Sequence, residues 1–433
     1  MYKSGFGNHI SFHMPGHKGK KFFPDDLTKF DTTEIDGTDN LYAPRGIIQA
    51  AQEHAAEVYG AGHTIFLTNG ATAGIVSAIL ALSDERGVII VARNCHKSVF
   101  SGIILSGAYP FYVYPKMYGD FAGSVAPLDI EQAILKNKDK RISAVALTSP
   151  TYEGITSDIK KILEITNRYG IPLIVDEAHG AHFPFSPDFP QNSAAVGADI
   201  VINSMHKTLP VFGQSALLHI NAPKLVPKIM ACLELTQTSS PSYLLMCAMD
   251  KFFEDYKAYD FGEYSRNLQD TRAVLKECKN IRLLENDDLS RLVFLAKDMG
   301  NFGNTLRDKY NVEIEGSFDG HAIAISTISD SIEDLRTLQN AVLETDRLYA
   351  PKEQKTAEYA RTDTVISPRK AFFGKRRVVP IEHAAGEICA ENIMLCPPAI
   401  PIIAAGEIIT ESIIANIPPI LREINVTEEK YVK

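Results

Sequence analysis

Two segments decide the fold: Ile171-Pro172-Leu173-Ile174-Val175-Asp176-Glu177-Ala178-His179-Gly180 and Ile200-Val201-Ile202-Asn203-Ser204-Met205-His206-Lys207-Thr208. Each is an unbroken apolar run of strand length that ends in polar, chemically capable side chains. Continuous rather than alternating apolar residues read as strands buried on both faces, hence a mostly parallel sheet covered by helices. In such open α/β sheets ligands bind at the carboxyl ends of the strands, which is where Asp176 and Lys207 fall.

Similar runs lie on either side: Thr64 to Leu67, Val88 to Ala92, Phe111 to Tyr114, Ile142 to Thr148 and Ala216 to Ile220. Helical stretches fit between them at Ala71 to Leu82, Asp129 to Lys136 and Ser157 to Arg168. The alternation predicts a doubly wound α/β domain. From about Pro241 the sequence turns helix-rich (Tyr243 to Tyr256, Tyr264 to Lys279), with strands expected at Leu292 to Ala296 and Ala322 to Ser326. A smaller α+β lobe follows from this change of pattern. The polar stretch Asp346 to Thr364 reads as a linker, and a last segment with Pro397, Pro398, Pro401 and Gly406 is expected to pack rather than dangle.

Composition narrows the function. The 433 residues are 45% apolar and 22% charged, enough for two or three globular domains. A net charge of −9 has the wrong sign for nucleic acid or an anionic membrane. Cys95, Cys232, Cys247, Cys278, Cys389 and Cys396 form no C-x-x-C pair and no regular framework, so neither zinc nor a disulfide scaffold is indicated and reduced thiols in the cytosol are expected. Met1 to Ile10 has no apolar core of a signal peptide, and no uncharged run approaches the roughly 20 residues that span a bilayer. His9, His13 and His17 have a helical spacing that could hold a metal, but Pro15 and Gly16 interrupt any helix there. Lys375-Arg376-Arg377 reads as a solvated face. The expectation is a cytoplasmic protein with no metal, nucleic-acid or membrane partner.

Three short motifs carry chemistry. Lys207 stands where partial desolvation lowers an ammonium pKa toward nucleophilic reactivity; alone it reads first as an exposed lysine beginning a helix, and the functional reading needs the company of the other motifs. Asp176 ends a strand, where a carboxylate can pair with a protonated ring nitrogen or simply cap the next helix. Thr68-Asn69-Gly70-Ala71-Thr72-Ala73-Gly74 joins a strand to a helix with small residues, so backbone amides and the helix dipole can meet a phosphate. It lacks both the Walker lysine and the dinucleotide glycine pattern. A phosphate seat, an anion for a pyridinium and a Schiff-base lysine together describe pyridoxal 5'-phosphate.

The chain also resembles the Orn/Lys/Arg decarboxylase family of fold type I enzymes, in its short bacterial form. The segments that carry the resemblance run nearly end to end: Ser11-Phe12-His13-Met14-Pro15-Gly16-His17-Lys18, Asp39-Asn40-Leu41, the phosphate turn, Asn94-Cys95-His96-Lys97-Ser98, Ser149-Pro150-Thr151-Tyr152-Glu153-Gly154, the two segments quoted first, and Thr238-Ser239-Ser240-Pro241-Ser242-Tyr243. The resemblance implies an aspartate-aminotransferase-like large domain at residues 45–250 after an N-terminal arm at 1–44, then a small lobe at 251–345 and a C-terminal segment at 346–433. It implies that Lys207 forms the Schiff base, Asp176 meets the pyridine nitrogen, His96 stacks on the ring and His179 lies near the reacting nitrogen. Ala71, Thr72, Ser204 and His206 would contact the phosphate.

The implied activity is α-decarboxylation of arginine, lysine or ornithine by a homodimer or small homo-oligomer, with arginine slightly favoured and polyamine synthesis one role. The rivals are another fold type I reaction such as aminotransfer, and a non-catalytic protein that binds the cofactor. One departure stands out, because the family's Tyr-Pro-Pro-Gly-Ile-Pro appears as Cys396-Pro397-Pro398-Ala399-Ile400-Pro401. A basic substrate also needs a distal carboxylate, and Glu34, Asp36 and Asp39 before the large domain are candidates, with a solvated acidic loop the ordinary alternative.

Overall fold

The computed structural model describes residues 9–119, 121–352, 359–395 and 399–429. The apolar runs become the strands of one seven-stranded sheet: β1 (His63–Leu67), β2 (Val88–Ala92), β3 (Tyr109–Val113), β4 (Ile142–Thr148), β5 (Leu173–Asp176), β6 (Ile200–Asn203) and β7 (Ala216–Ile220). Their order across the sheet is β1-β7-β6-β5-β4-β2-β3. All neighbours are parallel except β7, which runs antiparallel to both β1 and β6. The expected α/β class with a mostly parallel sheet is what the chain adopts.

Burial explains why the runs are continuous: β2, β5 and β6 expose no residue on either face. Each such side chain contributes roughly 1.5–3 kcal/mol when fully buried. The strand expected at Phe111 to Tyr114 starts two residues earlier, at Tyr109, and takes in Pro110. As the outer edge of the sheet β3 needs no donor on its free side, and an edge is where proline is tolerated.

Three helices frame the site: α1 (Ile47–Tyr59), α2 (Gly70–Leu82) and α3 (Lys97–Ser106). α2 is apolar on nearly every side and buries Ala71, Ala73, Ile75, Val76, Ala78 and Ile79, so it packs as an inner helix between sheet and helices.

The second lobe is a four-stranded antiparallel sheet built on Arg291–Leu295 and His321–Ile325, covered by helices Phe261–Leu275, Phe302–Tyr310 and Ile332–Thr345. The N-terminal strand Ile10–Phe12 joins this lobe, pairing in parallel with Val312–Ile314. His9 and His13 therefore flank this strand and His17 lies in the turn that follows, rather than all three on one helix face.

The start of the expected linker is tied down, since the Asp346 carboxylate accepts the amides of Lys279, Asn280 and Ile281. The last residues form two small hairpin-like sheets around a core of Ile403, Ile409, Ile413, Ile424 and Val426. This segment docks on the large domain through Arg93, which donates to the carbonyls of Pro401 (2.6 Å) and Ile402 (3.1 Å) and to Glu407 (3.1 Å). Both charged side chains are fully buried. Arg376 and Arg377 are exposed.

Candidate active site

The carboxyl ends of β5 and β6 bring Asp176 and Lys207 into one buried site, as their strand-end positions require. Lys207 Nζ lies 2.9 Å from His179 Nε2. Burial, reinforced by the Arg291 charge, holds the Lys207 ammonium down to about 8, against the pull of Asp176 and Glu315. Burial pushes the Asp176 carboxyl up, and the Lys207 charge opposes this. His179 is held well below the usual imidazole range by burial and by the cations Lys207 and Arg291. His96 and His206 are lowered to about 4, chiefly by burial with Lys207 adding to it. Three neutral imidazoles therefore surround one amine.

His96 ends the turn after β2 and caps α3, its Nδ1 lying 2.8 Å from Ser98 Oγ and accepting the Ser98 amide at 3.3 Å. His206 is anchored from the neighbouring strand: Ser215 O accepts both its amide (3.3 Å) and its Nδ1–H (3.0 Å). Ser204 caps the short helix Met205–Thr208 without a side-chain bond to it.

Ala71 and Thr72 open α2, whose cap residue Asn69 leaves the first-turn amides without a side-chain partner. Gly70 makes the turn possible with φ of +72°, and the carbonyl of Gln214, which precedes Ser215, would lie 3.9 Å from a Cβ placed there. Thr68 Oγ1, Thr208 Oγ1 and Ser215 Oγ are buried with no hydrogen-bond partner. Free amides and unpartnered hydroxyls on three adjoining turns make a seat for an anion.

The second lobe completes the site with residues the sequence reading did not single out. Arg291 is fully buried and directs Nη2 to His179 O (3.1 Å) and His179 Nδ1 (3.3 Å). Asp288 lies 3.9 Å from it and also holds His182 Nε2 at 3.1 Å. Glu315 accepts the Tyr152 hydroxyl (3.0 Å) and the Met14 amide (2.9 Å), and the Tyr152 ring meets His179 edge-on at 5.5 Å. The only hint in the sequence is an arginine opening an otherwise apolar strand.

The motif at Met14 to Lys18 binds this arrangement together. The Gly16 amide donates to His206 O (2.7 Å), and Gly16 O accepts from Thr327 Oγ1 (2.8 Å). A Cβ on Gly16 would stand 2.6 Å from the Leu209 backbone, so only glycine fits. Lys18 Nζ donates to His13 O and Ile325 O, both at 2.8 Å.

Of the three candidate substrate carboxylates, Asp39 accepts the amides of Arg45, Gly46 and Ile48 and so caps α1. Against the opposing effect of burial, backbone bonds from Arg45, Asn40, Gly46 and Gln49 hold its carboxyl down to about 2. Glu34 and Asp36 are exposed on the same loop. Cys396, Pro397 and Pro398 lie outside the described residues; Ala399, in the left-handed region at φ of +63°, accepts the Lys97 amide beside His96 at 3.0 Å. Among the described residues no cluster of His, Cys, Asp and Glu could hold a metal, and no helix is long and apolar enough to cross a membrane.

Residues 4–284 match the family model described as "Orn/Lys/Arg decarboxylase, major domain". An arginine decarboxylase of Bacillus subtilis is 30% identical over 445 residues, covering 94% of this chain and 90% of that relative. Among solved structures, the lysine decarboxylase LdcF of Francisella novicida superposes with a TM-score of 0.80 at 17% identity, over 94% of this chain and 76% of that one. A structure of SPT with PLP gives 0.61 at 14% identity, over 78% of this chain and 87% of that one.

Proposed function

The chain belongs to the Orn/Lys/Arg decarboxylase family, and from that premise we propose that it removes the α-carboxylate of a basic amino acid, arginine being the favoured substrate. Pyridoxal 5'-phosphate is its cofactor, as family and fold imply. The residues present fit that group: the unpartnered Thr68, Thr208 and Ser215 hydroxyls and the open first turn of α2 suit a phosphate dianion, and Asp176 is a buried carboxylate lacking a matched cation. When bound, the cofactor supplies an electron sink for the pair released as CO₂ leaves.

The protein's own side chains do the rest. Ala71, Thr72, Ser204 and His206 hold the phosphate, and His96 packs against the ring. Asp176 keeps a proton on the ring nitrogen, where a negative partner is worth most because burial has removed competing water. Lys207 would hold the cofactor through Nζ, and the same amine, shifted down to about 8, would be placed to hold or release a proton at that nitrogen. His179 holds that nitrogen in place.

A cationic substrate finds Glu34 and Asp36 available on the N-terminal loop, and the solvent-exposed Ile35, Ile47 and Leu235 nearby suit burial in a homodimer or small homo-oligomer. A cytoplasmic setting with a role in polyamine synthesis fits the thiols left free at Cys95, Cys232, Cys247, Cys278 and Cys389.

The juxtaposition of Lys207, His179 and Asp176 in one buried site carries this reading. Incubation with arginine, lysine and ornithine in turn, with pyridoxal 5'-phosphate added, tests it by the mass of the product. An amine plus CO₂ is expected. A keto acid would make the enzyme an aminotransferase, and no turnover of any of the three would remove the basic substrate.

A further inference from the structure

Arg291 reaches His179 from the opposite lobe, and the chemistry of the two side chains fixes more than distance. A guanidinium has only N–H groups to offer and does not lose its charge in proteins. Its Nη2 at 3.3 Å from His179 Nδ1 can bond only to a lone pair there. The second bond from Nη2, to His179 O at 3.1 Å, pins it to that side of the ring. A neutral imidazole with a bare Nδ1 carries its one proton on Nε2. That nitrogen is the one 2.9 Å from Lys207 Nζ.

The consequence concerns Lys207. An ammonium has no acceptor, so against an Nε2–H it would set donor against donor; a neutral amine accepts the bond. We propose that Arg291 is a positioning residue that locks His179 in its Nε2–H tautomer and thereby lowers the pH at which Lys207 becomes the free amine, the form able to attack the cofactor's aldehyde. The inference rests on Lys207 being the lysine that captures the cofactor.

The remaining surroundings agree. The charged and titratable groups that face Lys207 and His179 are Asp176, Arg291, Glu315, His96 and His206, and Tyr152 packs on His179. Only Asp176 and Glu315 favour the ammonium. Glu315 is already engaged by Tyr152 and Met14, and Lys207 is lowered to about 8 despite both acids. Arg291 itself is held without exposure by Asp288 and Ser290, so its fork cannot swing away from His179.

The test uses the full chain labelled with ¹⁵N-histidine, before and after loading with pyridoxal 5'-phosphate, with His179 assigned by the signal lost in His179→Asn. Proton-coupled nitrogen spectra of the parent should show His179 protonated at Nε2 and bare at Nδ1 in both states; a proton on Nδ1 overturns the inference whatever any variant does. Arg291→Gln, whose amide can accept as well as donate, should release the Nδ1–H form. It should also raise the pH midpoint for capture of added pyridoxal 5'-phosphate by about one unit, a tenfold loss of free amine at a fixed lower pH. Arg291→Lys keeps a donor without an acceptor and should hold the parent tautomer. A folded Arg291→Gln with an unmoved midpoint and an unmoved tautomer refutes the lock. If Arg291→Gln does not fold, the parent spectrum and Arg291→Lys still decide. Lys207→Ala separates the two claims: if it captures cofactor as well as the parent, the lysine assignment falls, and if it does not while the tautomer is wrong, only the lock falls.

Discussion

Two fully buried arginines, Arg93 and Arg291, sit in opposite kinds of company. Arg93 meets a carboxylate and two carbonyls, and Glu407 together with nearby tyrosines raises its pKa further above its ordinary value although burial lowers it. Arg291 meets a histidine, and beyond that a lysine, with its nearest carboxylate 3.9 Å away. The first site matches charge with charge and fastens the C-terminal segment to the sheet. The second buries titratable groups beside cations, and burial first, with the charges of Lys207 and Arg291 adding to it, pushes His179, His96, His206 and Lys207 toward their neutral forms. Low dielectric strengthens both the attraction and the repulsion. The contrast separates a region built to stay shut from one built to react.

The largest effect should come from emptying the reactive site. Lys207→Ala is expected to abolish amine production while leaving the thermal midpoint at or above that of the parent, since a crowded cation is removed; measurable turnover would show that another lysine carries the cofactor. Asp176→Asn should keep the cofactor yet lose a factor on the order of 10² or more in kcat, the scale typical of one preorganised electrostatic partner. A variant within about twofold of the parent would mean that the ring nitrogen lies elsewhere.

The matched site should answer in stability instead. Glu407→Leu leaves Arg93 buried without its anion and should cost about 3–5 kcal/mol in urea unfolding, whereas pairing it with Arg93→Met should recover most of the loss. If the single and double variants unfold alike, the pair is not what holds the segment.

A pH experiment sharpens the difference in sign. Lys207 is depressed from 10.5 to about 8 in the fold, so between those values the unfolded chain binds more protons. At this site stability should therefore rise with pH from about 8 to about 10.5, and be constant below. Lys18 behaves in the same direction, so the quantity to measure is the urea midpoint of cofactor-free parent minus that of Lys207→Ala across the window. A flat difference would mean that Lys207 is not strained in the fold.

The smallest effects belong to the N-terminal loop. Asp39→Ala removes the cap of α1 and should cost about 1 kcal/mol with KM unchanged. Glu34→Gln or Asp36→Asn should raise KM for the basic substrate with kcat little altered, as for a contact equally strong in ground and transition states. Unchanged KM in both confines the loop to a structural role.

The contrast also marks what the sequence could reveal. Buried parallel strands write themselves as unbroken apolar runs, so the sheet, and with it the strand-end positions of Asp176 and Lys207, was legible. The join from β1 to α2 was legible as a turn from its small residues, although a plain strand-to-helix turn looks the same and only its company suggested a phosphate. Asp39 offered two meanings, and only coordinates show its oxygens committed to backbone amides. Arg291 and Glu315 were not legible: each is a lone residue in a strand region of the other lobe, and its meaning arises when the lobes close on one another. Glu177, the neighbour of Asp176 in sequence, turns inward to Ser193 and Asn203, and burial pushes it up to about 7.

The parallel pairing of Ile10–Phe12 with Val312–Ile314, and the seat of Gly16 on the turn after Lys207, set a timetable for the newborn chain. The first strand to leave the ribosome has to wait some 300 residues for its neighbour, a long-range closure of the slow kind. Until residues 291–325 have emerged, neither Arg291 nor Glu315 can reach His179 or Tyr152. A polypeptide stalled after the seven-stranded sheet is complete would hold β5, β6 and α2 but not the contacts that Arg291 and Glu315 add to the site.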